Sequence, residues 1–379
     1  MKKQKLTIAM AGWGSGGHVY PIKSLIEFLA SEQKFYQHIQ NIYWFGHKNS
    51  LEQKEFLSLA VQKWFQTHFV TLFSWKLRRE KSLKAIFQNI RDIFLFILWF
   101  FQSLYFIHKY KIDIIFCKWG HVSAPVVLAW ALLRKKIIAH ESDTHPWLAS
   151  RIATPFASRI FTWFDGVFSK AETVGQILSD DIYFDPTHPS HSQNASQLSH
   201  IYQHKENKTI VLVVGWSLWS KSLYDTLYKV LEQNSQLLQE LIFVVVGGFI
   251  NTDISHQFDN FDNVFVFDYL SQKEMAMACY YADIGLTRGG TTSLAEQKLY
   301  NMKLLIVPIP RTHDQYDNAN YYLKKYQDIL IDQQKDFQKH LTTQLKHIVW
   351  YHKKRDYKNI KEQIHQTKTI IANALIQKF

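Results

Sequence analysis

Short, continuously apolar runs recur along this chain, each followed by a stretch of helical periodicity, and that alternation constrains the fold more than any other feature. In the first half LTIAMA (6–11), NIYWFG (41–46), DIIFCK (113–118) and KIIAHE (136–141) read as buried strands, with helices over 21–31 and 81–109. In the second half KTIVLVVG (208–215), LIFVVVGG (241–248), NVFVFDYL (263–270), ADIGLTRGG (282–290) and KLLIVPIP (303–310) repeat the rhythm. Strands that are apolar on both faces belong to parallel sheets covered by helices on each side. The expected fold class is therefore α/β, with two Rossmann-like, doubly wound parallel-sheet domains facing a cleft and ligand loops at the carboxyl ends of the strands. A length of 379 residues also exceeds one comfortable core. We place the first domain over residues 1–170 and the second over 171–349, with a helix at about 350–379 packing back on the first. The polar, His-rich stretch 185–208 reads as a linker or surface excursion, with room for a helix in part of it.

Charge and cysteine usage narrow the partners. Lys and Arg number 44 against 32 Asp and Glu, a net charge of +12, which favours an acidic partner: a phosphorylated substrate, an anionic membrane surface or nucleic acid. Cys117 and Cys279 stand far apart, without CxxC or Cys/His metal spacing, which points to a reduced setting and no structural zinc. No apolar stretch long enough for a secretory signal precedes Gly12, so the expected protein is not exported. The most apolar segment, IFLFILWFFQSLYFI (93–107), is shorter than the roughly 18 to 20 residues of a spanning helix and contains Gln102 and Ser103. With Lys76, Arg78, Arg79, Lys81, Lys84 and Arg91 before it and Lys109 and Lys111 after it, it suits a peripheral contact with anionic lipid.

Glycine-rich turns follow several strands. Gly12-Trp13-Gly14-Ser15-Gly16-Gly17-His18 closes the first strand and leads into a helix beginning near Pro21, whose N-terminal N–H groups suit an anion or polar substrate. It matches GxGxxG, yet the second strand ends in YWFGHKN, without the acidic residue that holds a dinucleotide ribose, which disfavours a nicotinamide-dependent oxidoreductase. A nucleic-acid-binding protein would account for the charge but not for two strand-and-glycine-loop halves. VVGWSLWSKSL (213–223) repeats the device, and LTRGGTTSLAEQKL (286–299) sets Gly289, Gly290, Thr291 and Thr292 ahead of a helix, donors that suit a diphosphate. Glu296, about one turn into that helix, could accept both hydroxyls of a ribose.

GSGGHVYP, HESDTHPWLASR (140–151), VVGWSLWS, TRGGTTSLAE and HDQYDNA (313–319) occur in the order and spacing of one family. The chain resembles, from its first loop to about residue 330, the MurG family of UDP-N-acetylglucosamine transferases within glycosyltransferase family 28. The resemblance implies a GT-B fold and inverting transfer of N-acetylglucosamine from UDP-N-acetylglucosamine to the 4-hydroxyl of lipid I, the undecaprenyl-diphosphate-linked acceptor, giving lipid II. It implies a peripheral enzyme on the cytoplasmic face of the membrane, with no cofactor, no metal and no nucleic-acid partner. By matching position, Glu296 would hold the ribose, Arg288 to Thr292 would face the diphosphate, and Gln315 with Asp314 would contact the sugar. Ser217 would sit near the phosphates or uracil, and Gly14, Ser15, Gly16 and Gly17 would face the acceptor's diphosphate. His18 is the favoured base for the attacking hydroxyl because an imidazole titrates near neutrality, and Glu141 is its rival.

The chain departs from the family in two ways. Ser179, in VGQILSD (174–180), stands where the family's interdomain segment carries an arginine, which leaves open a different sugar or acceptor for another lipid-directed GT-B transferase. Trp13, Trp75, Trp119, Trp147, Trp216 and Trp219, six of 12 tryptophans, fall where the family pattern has glycine. Glycine is correspondingly scarce, 14 in 379 residues, against a usual share of about 7%. This pattern predicts a codon written here as Trp that the source reads as Gly, as in bacteria that reassign the opal stop codon. Mass spectrometry of the native protein should then find glycine at the six positions, and UGG codons there would sink the idea. A chain with Trp at 13 and 216 should bind UDP more weakly than one with glycine at all six; equal affinity would overturn this.

Overall fold

A computed structural model describes residues 5–12, 16–61, 63–72, 83–118, 124–146, 150–151, 154–188, 192–205, 207–215, 220–248, 254–355 and 357–377. The chain divides into two compact units, one formed by Met1–Ser179 with Glu362–Phe379 and the other by Asp180–Lys361. Gly14, Ser15 and Ser217, the six tryptophans in question and Lys76, Arg78, Arg79 and Lys81 lie outside the described residues.

The first unit holds β1 (Leu6–Ala11), β2 (Ile39–Gly46), β3 (Gln66–Thr71), β4 (Ile114–Cys117), β5 (Lys136–Glu141), β6 (Arg159–Thr162) and β7 (Glu172–Thr173) in a seven-stranded sheet ordered β3-β2-β1-β4-β5-β6-β7. Every pairing is parallel. Side chains alternate across each strand, so Ile8 and Met10 of β1 meet one core layer while Ala9 and Ala11 meet the other. The first layer includes Ile22, Leu25 and Ile26 of the helix Gly16–Ser31; the second includes Trp99, Ile107, Val126 and Trp130 of the helices Leu83–Lys109 and Ala124–Leu132. That two-sided burial is why the strands read as unbroken apolar runs.

The second unit repeats the plan with β8 (Thr209–Val214), β9 (Leu241–Val246), β10 (Val264–Phe267), β11 (Ile284–Thr287), β12 (Lys303–Ile306) and β13 (Ile329–Leu330), ordered β10-β9-β8-β11-β12-β13, all parallel. In both sheets the strand order reverses beside the first strand, between β1 and β4 and between β8 and β11. Ligands of open parallel sheets bind at the carboxyl ends of the strands flanking such a reversal.

One local expectation is corrected, one is made specific, and several short strands are added. The first helix begins at Gly16 rather than near Pro21, so Gly16, Gly17 and His18 form its first turn and Pro21 lies inside it. The His-rich stretch contains the helix Gln193–Gln203, capped by the Ser192 hydroxyl, which accepts from Ala195 N at 3.1 Å. Its apolar face is short but present, burying Ala195, Leu198, Ile201 and Tyr202 at helical spacing. Strands β3, β6, β7 and β13 were not legible as apolar runs because they are short or half-polar, as in QTHFVT.

The helix Ile360–Ile376 seats Ile371, Ala372, Ala374 and Leu375 in the first unit's core. Lys136 Nζ closes its end, donating to Ala374 O at 2.8 Å and Gln377 O at 2.7 Å, carbonyls that a helix terminus leaves unpaired. Ile371→Ala should therefore cost about 2–5 kcal/mol of unfolding free energy in chemical denaturation. A change within about 0.5 kcal/mol, the range of a surface substitution, would show that the helix does not contribute to that core.

Candidate functional site

At the reversal in the first sheet, β1 gives way to Gly12 and β4 to Lys118, whose N–H donates to Ala11 O at 2.8 Å. A Cβ on Gly12 would lie 2.7 Å from Ile22 Cδ1 and 3.0 Å from Lys118 Cβ, so glycine lets the strand end pack against both. His18, half-buried in the helix's first turn, has Nδ1 3.0 Å from Lys118 O. A carbonyl only accepts, so Nδ1 carries the proton and Nε2 is the basic nitrogen of the neutral ring.

Behind His18 lies a buried polar cluster at the end of β5. Glu141 Oε1 accepts from Ser142 N at 2.8 Å and Asp143 N at 3.2 Å. Burial, with the charge of Asp143, pushes its carboxyl up to about 7 against the opposing pull of Lys118. Lys118 Nζ donates to Ser142 Oγ, which donates to Gln176 Oε1 at 2.8 Å. Burial lowers the Lys118 ammonium to about 8, with Glu141 and Asp143 supporting the charged form. His140 is held well below the usual imidazole range by burial and by Lys118, and its Nε2 lies 2.8 Å from Gly175 O. Glu141 is thus enclosed, at 2% exposure, whereas His18 reaches the strand-end surface.

The second unit builds its site at the reversal between β8 and β11. Arg288, Gly289 and Gly290 follow β11, and Gly290 caps the helix Thr291–Leu299 without any side-chain capping bond. Among the described residues, and apart from its chain neighbours, no atom comes within 4 Å of where a Gly290 Cβ would stand, so the described residues leave this helix start open and its first N–H groups can meet an anion. Gly289 is different, because a Cβ there would lie 2.6 Å from Gln315 O. Gln315, in the first turn of the helix His313–Tyr326, accepts through Oε1 from Gly289 N at 3.2 Å and Ile309 N at 3.0 Å. That leaves its amide N–H groups to meet a ligand. Asp314 stands half-buried beside it.

Arg288 is 5% exposed and its guanidinium is held within the unit, donating to Val307 O at 3.1 Å, Gln333 Oε1 at 2.7 Å and Ser222 Oγ at 3.3 Å. Burial lowers it to about 10. The side chain braces the sheet end and the helix Lys221–Gln233, while the backbone after it forms the open turn. Thr291 is buried, and the Thr292 hydroxyl is buried without a hydrogen-bond partner. Glu296, one turn on and on the same helix face, makes no hydrogen bond or ion pair with any described residue, and burial pushes its carboxyl up to about 7. An open helix start, an unmatched hydroxyl and an unmatched carboxylate in sequence form a site for a ligand with an anionic end and hydroxyl donors.

Sequence reasoning missed Lys118 and the bracing role of Arg288. The signal for Lys118 was a lysine closing an otherwise buried strand, DIIFCK.

Known proteins share both halves. Residues 8–162 match the glycosyltransferase family 28 N-terminal domain and residues 209–374 its C-terminal domain. Curated relatives named "UDP-N-acetylglucosamine--N-acetylmuramyl-(pentapeptide) pyrophosphoryl-undecaprenol N-acetylglucosamine transferase" include one from Borrelia garinii, 27% identical over 98% of this chain and 97% of its own length. Another, from Staphylococcus aureus, is 28% identical over 86% of each chain. The crystal structure of Acinetobacter baumannii MurG superposes with a TM-score of 0.69 at 18% identity, covering 99% of this chain and 100% of that one. The fold is that of a GT-B glycosyltransferase. The chain belongs to glycosyltransferase family 28, and the resemblance drawn from its motifs is borne out.

If Glu296 accepts ligand hydroxyls, only its ionised form does so well. A carboxyl titrating at about 7 is protonated below that pH, so affinity for UDP should weaken as pH falls through 7 and level off above it. Glu296→Gln should bind UDP about tenfold or more weakly, the worth of a charged hydrogen bond, and lose that pH dependence in calorimetry. Wild-type affinity that is flat from pH 6 to 8 would remove Glu296 from the site.

Proposed function

We propose that the protein transfers N-acetylglucosamine from UDP-N-acetylglucosamine, with inversion, to the 4-hydroxyl of lipid I, producing lipid II for peptidoglycan. The observation that carries this is near-complete coverage by relatives bearing that activity's name, joined to an unmatched Glu296 carboxylate beside an open helix start. In this reading the second unit holds the donor: Glu296 takes the ribose hydroxyls, the turn Gly289 to Thr292 receives the diphosphate, and Gln315 donates to the sugar. As the glycosidic bond of the donor breaks, negative charge grows on the departing diphosphate. The positive end of the helix Thr291–Leu299 stabilises that charge.

The first unit supplies the acceptor's base. His18 Nε2 is the basic nitrogen and takes the proton from the attacking hydroxyl. Glu141 is enclosed and bonded to its own turn, which supports a structural rather than a proton-accepting role.

Lipid I lies in a membrane, and the helix Leu83–Lys109 offers a surface for one. Trp99, Ser103 and Ile107 face the core while Ile93, Phe94, Ile97, Leu98, Phe101 and Tyr105 stand exposed along the opposite side, with Lys109 and Lys111 at the end. No helix among the described residues is long and apolar enough to cross a membrane. An exposed apolar stripe beside basic residues suits peripheral attachment to anionic lipid, here on the cytoplasmic face. Ser179 in place of the family's arginine favours, as the second reading, a related lipid acceptor or sugar.

The test is transfer of labelled N-acetylglucosamine to lipid I in anionic vesicles and to a short-chain, water-soluble analogue. Transfer to both is expected, and absence of transfer to either acceptor under conditions where UDP binds would reject the acceptor assignment. Replacing Phe94, Leu98 and Phe101 with Ser should abolish sedimentation with vesicles while leaving transfer to the soluble analogue; unchanged sedimentation would reject the membrane surface.

A further inference from the structure

We propose that Lys118 is a positioning residue for His18, its side chain holding its own main-chain carbonyl against the imidazole so that Nε2 stays the basic nitrogen. The inference rests on His18 being the base. Lys118 stands one residue past β4, where its N–H makes a final ladder-like bond to Ala11 O at 2.8 Å. The next register contact that would orient the Lys118 carbonyl does not belong to the sheet, since β4 pairs with β1 only through Cys117 and Ala11. The residue is fixed instead by its side chain, which runs inward, is 1% exposed, and fastens to Ser142 Oγ just beyond β5.

Ser142 is itself held twice. Its hydroxyl donates to Gln176 Oε1 at 2.8 Å and its N–H donates to Glu141 Oε1 at 2.8 Å. Lys118 therefore ties three neighbouring strand ends, those of β1, β4 and β5, to one point, and presents its carbonyl 3.0 Å from His18 Nδ1. The close approach at Gly12 packs the Lys118 stem on its other side. A buried ammonium is costly unless charges compensate it, and the nearby charges of Glu141 and Asp143 do so. That expense at a strand end, beside the proposed base, is consistent with a role that an apolar residue could not fill.

The decisive variant is Lys118→Met, which keeps the stem and the backbone but cannot bond Ser142. In nitrogen-15 spectra of histidine-labelled protein, wild-type His18 should show the Nδ1–H tautomer and the variant a mixture with Nε2–H. Turnover of the variant should fall about tenfold or more, within the range by which a positioned general base accelerates proton transfer, while KM for UDP-N-acetylglucosamine changes less than twofold. Ser142→Ala should move both readouts in the same direction by less. An unchanged tautomer and kcat in folded Lys118→Met, with folding shown by a thermal unfolding transition like that of the wild type, overturns the proposal. Because the tautomer is read without an acceptor, a failure of the lipid I assignment leaves that measurement standing, and the two ideas can fail separately.

Discussion

Everything functional in this molecule depends on one constraint: parallel strands buried on both faces have no exposed edge along their length at which to place chemistry. Polar groups are forced to the strand ends, and the ends are crowded except where the strand order reverses. Between β1 and β4, and between β8 and β11, the following chain turns away in opposite directions and leaves room. His18 with Lys118 occupies the first opening, and Gly290 with Glu296 stands at the second.

The two openings are furnished differently. The first is backed by a charged, nearly closed network in which Lys118, Ser142, Gln176 and Glu141 bind one another, with the half-buried His18 ring set against the Lys118 carbonyl. The second leaves a hydroxyl and a carboxylate unmatched at a helix start, while the Arg288 guanidinium and the Gln315 Oε1 brace the turn. A helix start and a hydroxyl that donate, beside a carboxylate that accepts, suit a ligand with an anionic end and hydroxyl groups; a rigid frame around one basic nitrogen suits proton removal. The proposed function uses that division, with the donor nucleotide in the second unit and the acceptor hydroxyl at the first.

Much of this was legible in the chain. The strands from LTIAMA to KLLIVPIP stand where their continuous apolar character put them, because burial on both faces imposes that pattern. Gly289 through Glu296 fall at a strand end and helix start, as short-range rules require. The bounds of the helix Gln193–Gln203 were obscured by its histidines, since only a narrow face is buried, and β3 was obscured by alternating polar residues. Lys118 carried no motif at all.

Local pattern, then, determined the α/β class, the two repeated halves, the glycine turns and the family, because each is written within a few dozen consecutive residues. Tertiary structure alone decided which polar groups are matched. Lys118 meets His18 across a separation of 100 residues and Ser142 across 24, while Arg288 reaches Gln333 across 45. Whether a side chain binds a ligand or braces a turn depends on partners that only folding brings near. Glu296 and Arg288 look alike in sequence as charged residues of one motif, yet the first stands half-buried without a hydrogen bond or ion pair to any described residue, as the proposed ribose contact requires, while the second is buried and bonded to Val307, Gln333 and Ser222.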